Sequence, residues 1–409
     1  MLGRGSVGRE LDDRVFKIAG KAKNAIERFG KENVINGTIG ALYNEGEKLV
    51  NFHTVVETYK NLPSEDIFAY ASGITGSEEY KEAVKRIILG RDYNSKFQGH
   101  FMEVVATAGG TGAIRNSLKN YLNPGEKILL PELMWDPYKL MAEEVGGSFD
   151  TYKLFNENDE FHLENFREKV EELTKEQENV VIMINDPCHN PTGYSLSMEE
   201  WKGVIEILEE YAKLKNIILL NDMAYMDFSE RDMGEYRKIF KNLSENILVI
   251  FLFSMSKSFT GYGLRAGAQL ALSTNEDIIK EFENASKFSC RATWSNISRG
   301  AMSLLSEIVL DDRKYRKLFK ERESYRKLIK ERAEIFLKEA KDVDLKTYPY
   351  KDGFFITIPI ENNIEEVVES LERENIFTIV LEKGIRLGVC SVPKKKLFGL
   401  SKKIKLYMK

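Results

Sequence analysis

Lys257 stands in Ser254-Met255-Ser256-Lys257, directly after the apolar run Leu248 to Phe253, and Arg265 follows within Gly263-Leu264-Arg265-Ala266-Gly267. An amine can condense with an aldehyde, while two hydroxyls and a guanidinium can hold a phosphate through charge-assisted, bidentate hydrogen bonds. The plain alternative is a surface lysine after a strand, followed by an ordinary glycine turn. Gly109-Gly110-Thr111-Gly112-Ala113 lies between a strand-like and a helix-like segment, so the first amides of that helix are free to bind an anion. The segment is not a Walker A loop, because no Gly-Lys-Ser/Thr follows, and Arg115 stands where G-x-G-x-x-G needs its third glycine. A tight strand-to-helix turn is its alternative.

Asp222 closes the strand-like run Asn216 to Leu220, with Tyr225 three residues on, which places both at the carboxyl edge of a parallel sheet, where α/β proteins bind ligands. A carboxylate there can hold a pyridinium N–H, although aspartate after a strand is more commonly a cap or turn residue. Asn190-Pro191-Thr192-Gly193 follows Val180 to Ile184 in the same way, and read alone it is a turn.

These residues need a frame, and the chain provides one by alternation. Met102 to Thr107, Lys127 to Leu130, Val180 to Ile184, Asn216 to Leu220, Leu248 to Phe253 and Ala268 to Leu272 read as strands, with helices at Ser77 to Leu89, Thr111 to Leu122 and Met198 to Leu214. Continuous apolar runs of this kind mark buried parallel strands and an α/β fold. Glu10 to Phe29 has helical spacing in Leu11, Val15, Ile18, Ala22 and Ile26. Asp311 to Asp342 is a long charged helical tract, a composition that usually marks a solvated face. After it, strands at Phe354 to Ile358, Phe377 to Val380 and Ile385 to Val389, with a helix at Ile364 to Glu372, suggest a small α+β domain.

With 409 residues, 43% of them hydrophobic and 30% charged, the chain is long enough for two domains and too apolar to be disordered. A net charge of −4 gives no basic field for nucleic acid or an anionic membrane, which points to small molecules or another subunit as partners. Three dispersed cysteines, without C-x-x-C spacing, support neither a disulfide framework nor a zinc ribbon, and four histidines without ligand spacing leave no metal expected. The apolar run Ile247 to Phe253 is far below the roughly 20 residues of a membrane span. Together these suggest a cytoplasmic protein.

Taken together, Gly110-Thr111-Gly112-Ala113, Trp135, His189-Asn190-Pro191-Thr192-Gly193, Asp222 with Tyr225, Ser254-x-Ser256-Lys257, Arg265 and Arg386 resemble the fold-type I pyridoxal-phosphate enzymes, and more narrowly the class I/II aspartate and aromatic aminotransferases. The resemblance runs from about Asn36 to Val389. It implies an α/β large domain with a mostly parallel seven-stranded sheet flanked by helices, plus a smaller α+β domain. The boundaries expected are an N-terminal arm and helix at 1–40 packing with the small domain, a cofactor-binding domain at 41–310 and a small domain at 311–409.

The cofactor implied is pyridoxal 5'-phosphate, carried by Lys257 as a Schiff base. Asp222 would keep the ring nitrogen protonated, Asn190 and Tyr225 would bond the ring oxygen, and Trp135 would stack on the ring. Gly110, Thr111, Ser254, Ser256 and Arg265 would bind the phosphate, with Tyr70 reaching in from the second subunit of a homodimer. Arg386 would grip the substrate α-carboxylate, helped by the backbone near Gly40. Substrates would be an amino acid and a 2-oxo acid, interconverted in a ping-pong scheme.

Cys290-Arg291-Ala292-Thr293-Trp294-Ser295-Asn296 is similar to the family segment whose arginine crosses the dimer interface to a distal carboxylate, which favours aspartate or glutamate. Aromatic aminotransferases keep this arginine too, and a surface arginine is the bland alternative. The chain departs from the family where Tyr138 replaces a frequent histidine, Leu133 a frequent proline, and Asn296-Ile297-Ser298 a proline pair. These positions bear on what lies behind Asp222 and on the substrate-entry wall. A pyridoxal-phosphate lyase or aspartate β-decarboxylase would use the same lysine and aspartate but release different products. A cofactor-sensing regulator would need a DNA-binding module, and a silent binding protein would show damage at Lys257 or Asp222.

Overall fold

The computed structural model describes residues 8–11 and 14–408. Of the arm expected at 1–40, and of the amphipathic stretch from Glu10, residues 1–7, 12 and 13 lie outside the described residues. The chain forms two compact units, one of Met1–Lys48, Glu331–Tyr348 and Phe355–Lys409, the other of Leu49–Lys330 and Pro349–Phe354. This division falls at 48/49 and, inside a continuous helix, at 330/331, whereas the sequence reading sets boundaries at 40/41 and 310/311.

The larger unit is built on a seven-stranded sheet. Its strands are β1 (Phe101–Thr107), β2 (Lys127–Pro131), β3 (Ser148–Tyr152), β4 (Asn179–Asn185), β5 (Asn216–Asp222), β6 (Ile247–Ser254) and β7 (Gly267–Ser273). They lie in the order β1-β7-β6-β5-β4-β2-β3, parallel throughout except that β7 runs antiparallel to both its neighbours. This is the mostly parallel sheet expected. Every residue of β6 is buried, as a strand covered on both faces must be. Helices Gly109–Tyr121 and Glu276–Thr293 place Ile114, Leu118, Ile279 and Phe282 against Val105, Ile250 and Leu252 of the sheet. Strand β3 is absent from the sequence reading because Ser-Phe-Asp-Thr-Tyr at a sheet edge is mostly half-buried and carries no apolar run.

The smaller unit pairs Gly384–Gly388 antiparallel with both Phe355–Pro359 and Ile379–Leu381. Ile35–Asn36 runs parallel to Ile376–Phe377. Helix Arg14–Phe29 turns Ile18, Ala22 and Ala25 onto Val34 and Phe377, which explains its helical spacing.

The charged tract forms one helix, Asp312–Asp342. Its expected reading as a solvated face holds for most of its lysines but needs a correction, since Arg322 and Arg332 are buried. Each of these guanidiniums is desolvated against a carboxylate and backbone carbonyls, Arg322 with Asp227 and Arg332 with Glu45. Among the described residues no helix is long and apolar enough to cross a membrane.

Candidate active site

Three segments of the sequence reading meet at one rung of the sheet. Gly267, the first residue of β7, pairs in register with Thr107 at the end of β1 and with Ser254 at the end of β6. A Cβ on Gly267 would lie 2.4 Å from the Phe253 carbonyl oxygen and 2.7 Å from Gly109 C, so only glycine lets these backbones approach. From this rung the chain leaves β1 into helix Gly109–Tyr121, and leaves β6 into the short helix Met255–Ser258 that carries Lys257.

The anion cradle follows from that junction. Gly109 has a φ of +70°, and a Cβ there would stand 2.8 Å from Arg265 Nη2; a Cβ on Gly110 would stand 3.3 Å from Ser254 Cβ. The helix amino end, Arg265 and Ser254 thus sit side by side. Arg265 Nη1 donates to Ser256 Oγ at 3.0 Å, and Ser254 Oγ accepts the Ser256 N–H at 3.2 Å. Thr111 follows in the first turn of the helix, exposed. Free helix-end amides, two hydroxyls and a guanidinium are the donor set a phosphate monoester needs.

Lys257 Nζ is surrounded by aromatic rings, 4.9 Å from the centre of Tyr262, 5.6 Å from Tyr225 and 5.9 Å from Phe354. Tyr225 lies just before the turn Met226–Phe228 and meets Phe354 edge-on at 5.2 Å. Phe354 is a participant the sequence reading missed, since nothing local in Gly353-Phe354-Phe355 distinguishes it from a core phenylalanine. Gly353 and Asp352 hold it there: a Cβ on Gly353 would stand 2.6 Å from Cys188 Cβ, and the Asp352 carboxylate accepts from Ser229 Oγ at 2.7 Å and from the Glu230 N–H at 3.0 Å.

Asp222 ends β5 with its side chain buried. One oxygen accepts the Ala224 N–H at 3.0 Å, and the other accepts the Tyr138 hydroxyl at 2.5 Å. Burial raises the proton affinity of this carboxyl above that of an ordinary aspartate, and these two hydrogen bonds pull it back. A buried, oriented carboxylate of this kind can hold a cationic ring N–H. Tyr138, the departure noted above, therefore stands directly behind Asp222; burial pushes its own ionisation far above the usual phenol range. Trp135 packs edge-on against it, with ring centres 5.4 Å apart at 90°.

Asn190, buried and joined to Pro191 by a cis peptide, is fixed by its N–H to Asn185 Oδ1 at 2.7 Å, and the Asn185 amide in turn bonds the Asp222 carbonyl at 2.9 Å. His189 next to it is buried, with Nδ1 2.9 Å from Thr192 Oγ1, and burial depresses its pKa to about 3. Lys257, Asp222, Tyr225, Asn190, Trp135, Gly110, Ser254, Ser256 and Arg265 are therefore all held by ends of strands of the one sheet.

Two expected residues of this unit stand elsewhere. Tyr70 is 92% exposed, with its carbonyl 3.2 Å from Arg299 Nη1. Arg291 is exposed near the end of helix Glu276–Thr293, where Nη1 donates to Ser295 Oγ at 2.5 Å. In the smaller unit, Arg386 is buried in the central strand of its sheet, with Nη2 3.3 Å from the Thr38 carbonyl and its guanidinium 4.2 Å from the Phe355 ring centre. Gly40 lies two residues beyond Thr38, half-buried. Among the described residues no His, Cys, Asp and Glu cluster is placed to hold a metal ion.

The family profile "Aminotransferase class I and II" matches residues 32–402. The chain is 29% identical over 239 residues to an aromatic-amino-acid aminotransferase of Paracoccus denitrificans, a match covering 57% of each chain. It is 26% identical over 308 residues to an aspartate aminotransferase of Pseudomonas aeruginosa, covering 74% of this chain and 73% of that one. A solved aminotransferase from Anaerococcus prevotii superposes with a TM-score of 0.94 at 36% identity, covering 100% of this chain and 99% of the other. An aromatic-amino-acid aminotransferase from Burkholderia pseudomallei, covalently bound to pyridoxal phosphate, shares the fold over the full length of both chains with a TM-score of 0.81 at 20% identity. The chain belongs to the class I and II aminotransferases and is a transaminase.

Proposed function

We propose that this transaminase exchanges the amino group between a dicarboxylic L-amino acid, aspartate or glutamate, and a 2-oxo acid. Its cofactor is pyridoxal phosphate, which supplies an aldehyde for the amino group and a ring that accepts the electrons left at Cα. The observation that carries the assignment is the convergence of Lys257, the buried Asp222 carboxylate and the Ser254–Ser256–Arg265 cradle at one sheet edge.

Lys257 would hold the aldehyde, and its amine would take the substrate Cα proton as general base. Asp222, oriented by Tyr138 and the Ala224 N–H, holds the ring N–H. Asn190 and Tyr225 would hydrogen-bond the ring oxygen, and Trp135 would stack on the ring. Gly110, Thr111, Ser254, Ser256 and Arg265 bind the phosphate, with Tyr70 of a second subunit joining them. Arg386 takes the α-carboxylate with its planar fork, and the backbone near Gly40 completes that contact.

Arg291 supports the dicarboxylate reading. It is exposed near the end of its helix, where Nη1 donates to Ser295 Oγ, so its guanidinium is accessible to an anionic substrate group presented by another subunit. An aromatic donor, tyrosine or phenylalanine, is the second reading, favoured by the Paracoccus relative and satisfied if Arg291 swings aside. A panel of amino donors with 2-oxoglutarate as acceptor, scored by kcat/KM, separates the two. Aspartate or glutamate should lead; a lead by phenylalanine or tyrosine establishes the second reading. Release of ammonia or of a shortened amino acid would overturn both.

A further inference from the structure

Helix Asp312–Asp342 reaches the lysine segment through one side chain that neither the motifs nor the mechanism above employ. Arg322 is 2% exposed. Its Nε donates to the Ser258 carbonyl at 2.7 Å, its Nη1 donates to Asp227 Oδ1 at 2.8 Å, and its guanidinium lies 5.0 Å from the centre of the buried Phe259 ring. Ser258 is the residue after Lys257, and Asp227 sits in the turn that begins immediately after Tyr225. One planar group therefore ties the backbone one residue past the lysine to the turn that follows the tyrosine.

The launch point of that side chain is itself fixed. Glu321, one residue earlier, accepts the N–H groups of His53 and Thr54 at 2.5 and 2.9 Å, capping helix His53–Lys60. Tyr325, on the next turn, packs on Phe52 with ring centres 5.9 Å apart, and the Phe52 N–H donates to Thr260 Oγ1 at 3.0 Å, just beyond the lysine. A buried ion pair is a poor device for stability, because desolvation offsets most of its attraction and apolar replacements are often as stable. Its rigid fork is a good device for fixing a distance.

We propose that Arg322 is a positioning residue of the transaminase: by holding the Ser258 carbonyl and the Asp227 carboxylate together, it sets where Lys257 and Tyr225 stand relative to each other. The inference rests on the assignment of Lys257 and Tyr225 made above. Lysine at this position could reach one of the two partners but would lose the fixed fork.

The test uses the holoenzyme with three changes: Arg322→Lys, Asp227→Asn, and the double variant Arg322→Met with Asp227→Leu, which removes both charges and leaves neither orphaned. Each is read by thermal midpoint, by the kcat and KM of the donor half-reaction, and by a pH titration of the cofactor's visible absorption band. Arg322→Lys and the double variant should lower kcat about tenfold with KM within about twofold, a misplacement effect, and move the band's titration midpoint by about half a pH unit. Asp227→Asn, which keeps the Ser258 contact, should show a smaller shift in the same direction. Unchanged kcat and band midpoint in a folded double variant would overturn the proposal, as would a fall in thermal midpoint in all three with the band unmoved. Should the double variant not fold, Arg322→Lys and Asp227→Asn decide by the same criteria. Borohydride trapping of the wild type keeps the two readings apart: no adduct on Lys257 refutes the site assignment, whereas an adduct with unshifted variants refutes only the role of Arg322.

Discussion

The sheet edge around Lys257 and the exposed pair Tyr70 and Arg291 belong to the same compact unit, yet they are prepared in opposite ways. At the edge, groups are held in place by neighbours: Asp222 by Tyr138, Ser256 by Arg265, and the Asn190 backbone by Asn185. Tyr70 is exposed, and the exposed Arg291 donates to the serine one turn on. The contrast teaches that one chain preorganises most of the groups we assign to the cofactor. The groups we assign to phosphate closure and side-chain choice are left for another surface to receive. Specificity can then change without disturbing the preorganised edge.

The largest break of that contrast is Lys257→Ala. It should lower turnover by more than about 10³-fold, because it removes the proposed base, with the thermal midpoint of the apo-protein within a few degrees of wild type. Near-normal turnover would remove Lys257 from the chemistry. Arg291→Asp comes next. Loss of one charge-assisted contact should reduce kcat/KM for aspartate and glutamate by roughly 10- to 100-fold and for phenylalanine far less. Equal losses on every donor would mean that Arg291 does not read the substrate side chain.

Tyr70→Phe sharpens the comparison with a smaller effect. If the hydroxyl completes the phosphate site of a second subunit, the cofactor should dissociate about tenfold more readily, and mixing Tyr70→Phe with Lys257→Ala protein should restore partial activity through hybrid dimers. Loss of cofactor affinity without such complementation would place Tyr70 in its own chain's site.

The smallest effect concerns pH. His189 titrates at about 3 in the folded chain because burial disfavours its cation, against an ordinary value near 6.5, so it favours the fold above that ordinary value. This contribution is lost progressively as pH falls from about 6.5 toward 3. His189→Gln should flatten the decline of the apo-protein's thermal midpoint over that window while leaving pH 8 nearly unchanged. A parallel decline in both proteins would assign the acid sensitivity elsewhere.

Much of this was legible from sequence for one physical reason: strands buried on both faces must be apolar throughout, so a polar group at the end of such a run marks the sheet edge. Asp222 and Ser254 each close their strand in that manner. The half-buried edge strand Ser148–Tyr152 lacks that signature and went unread. Phe354 and Arg322 were illegible because their roles depend on approaches between segments distant in sequence, and a buried arginine in a lysine- and glutamate-rich helix looks like its solvated neighbours. Tyr138 could be flagged by its spacing from Trp135, but only coordinates show its hydroxyl on Asp222.

Gly267 has a consequence of its own. Because the ends of β1 and β6 lie on either side of this one residue, the anion-binding helix and the lysine segment inherit their spacing from the same pair of ladder steps. A side chain there would not weaken one function by degrees. By the roles proposed above, it would part the phosphate-binding helix from the lysine, and both contacts would fail together.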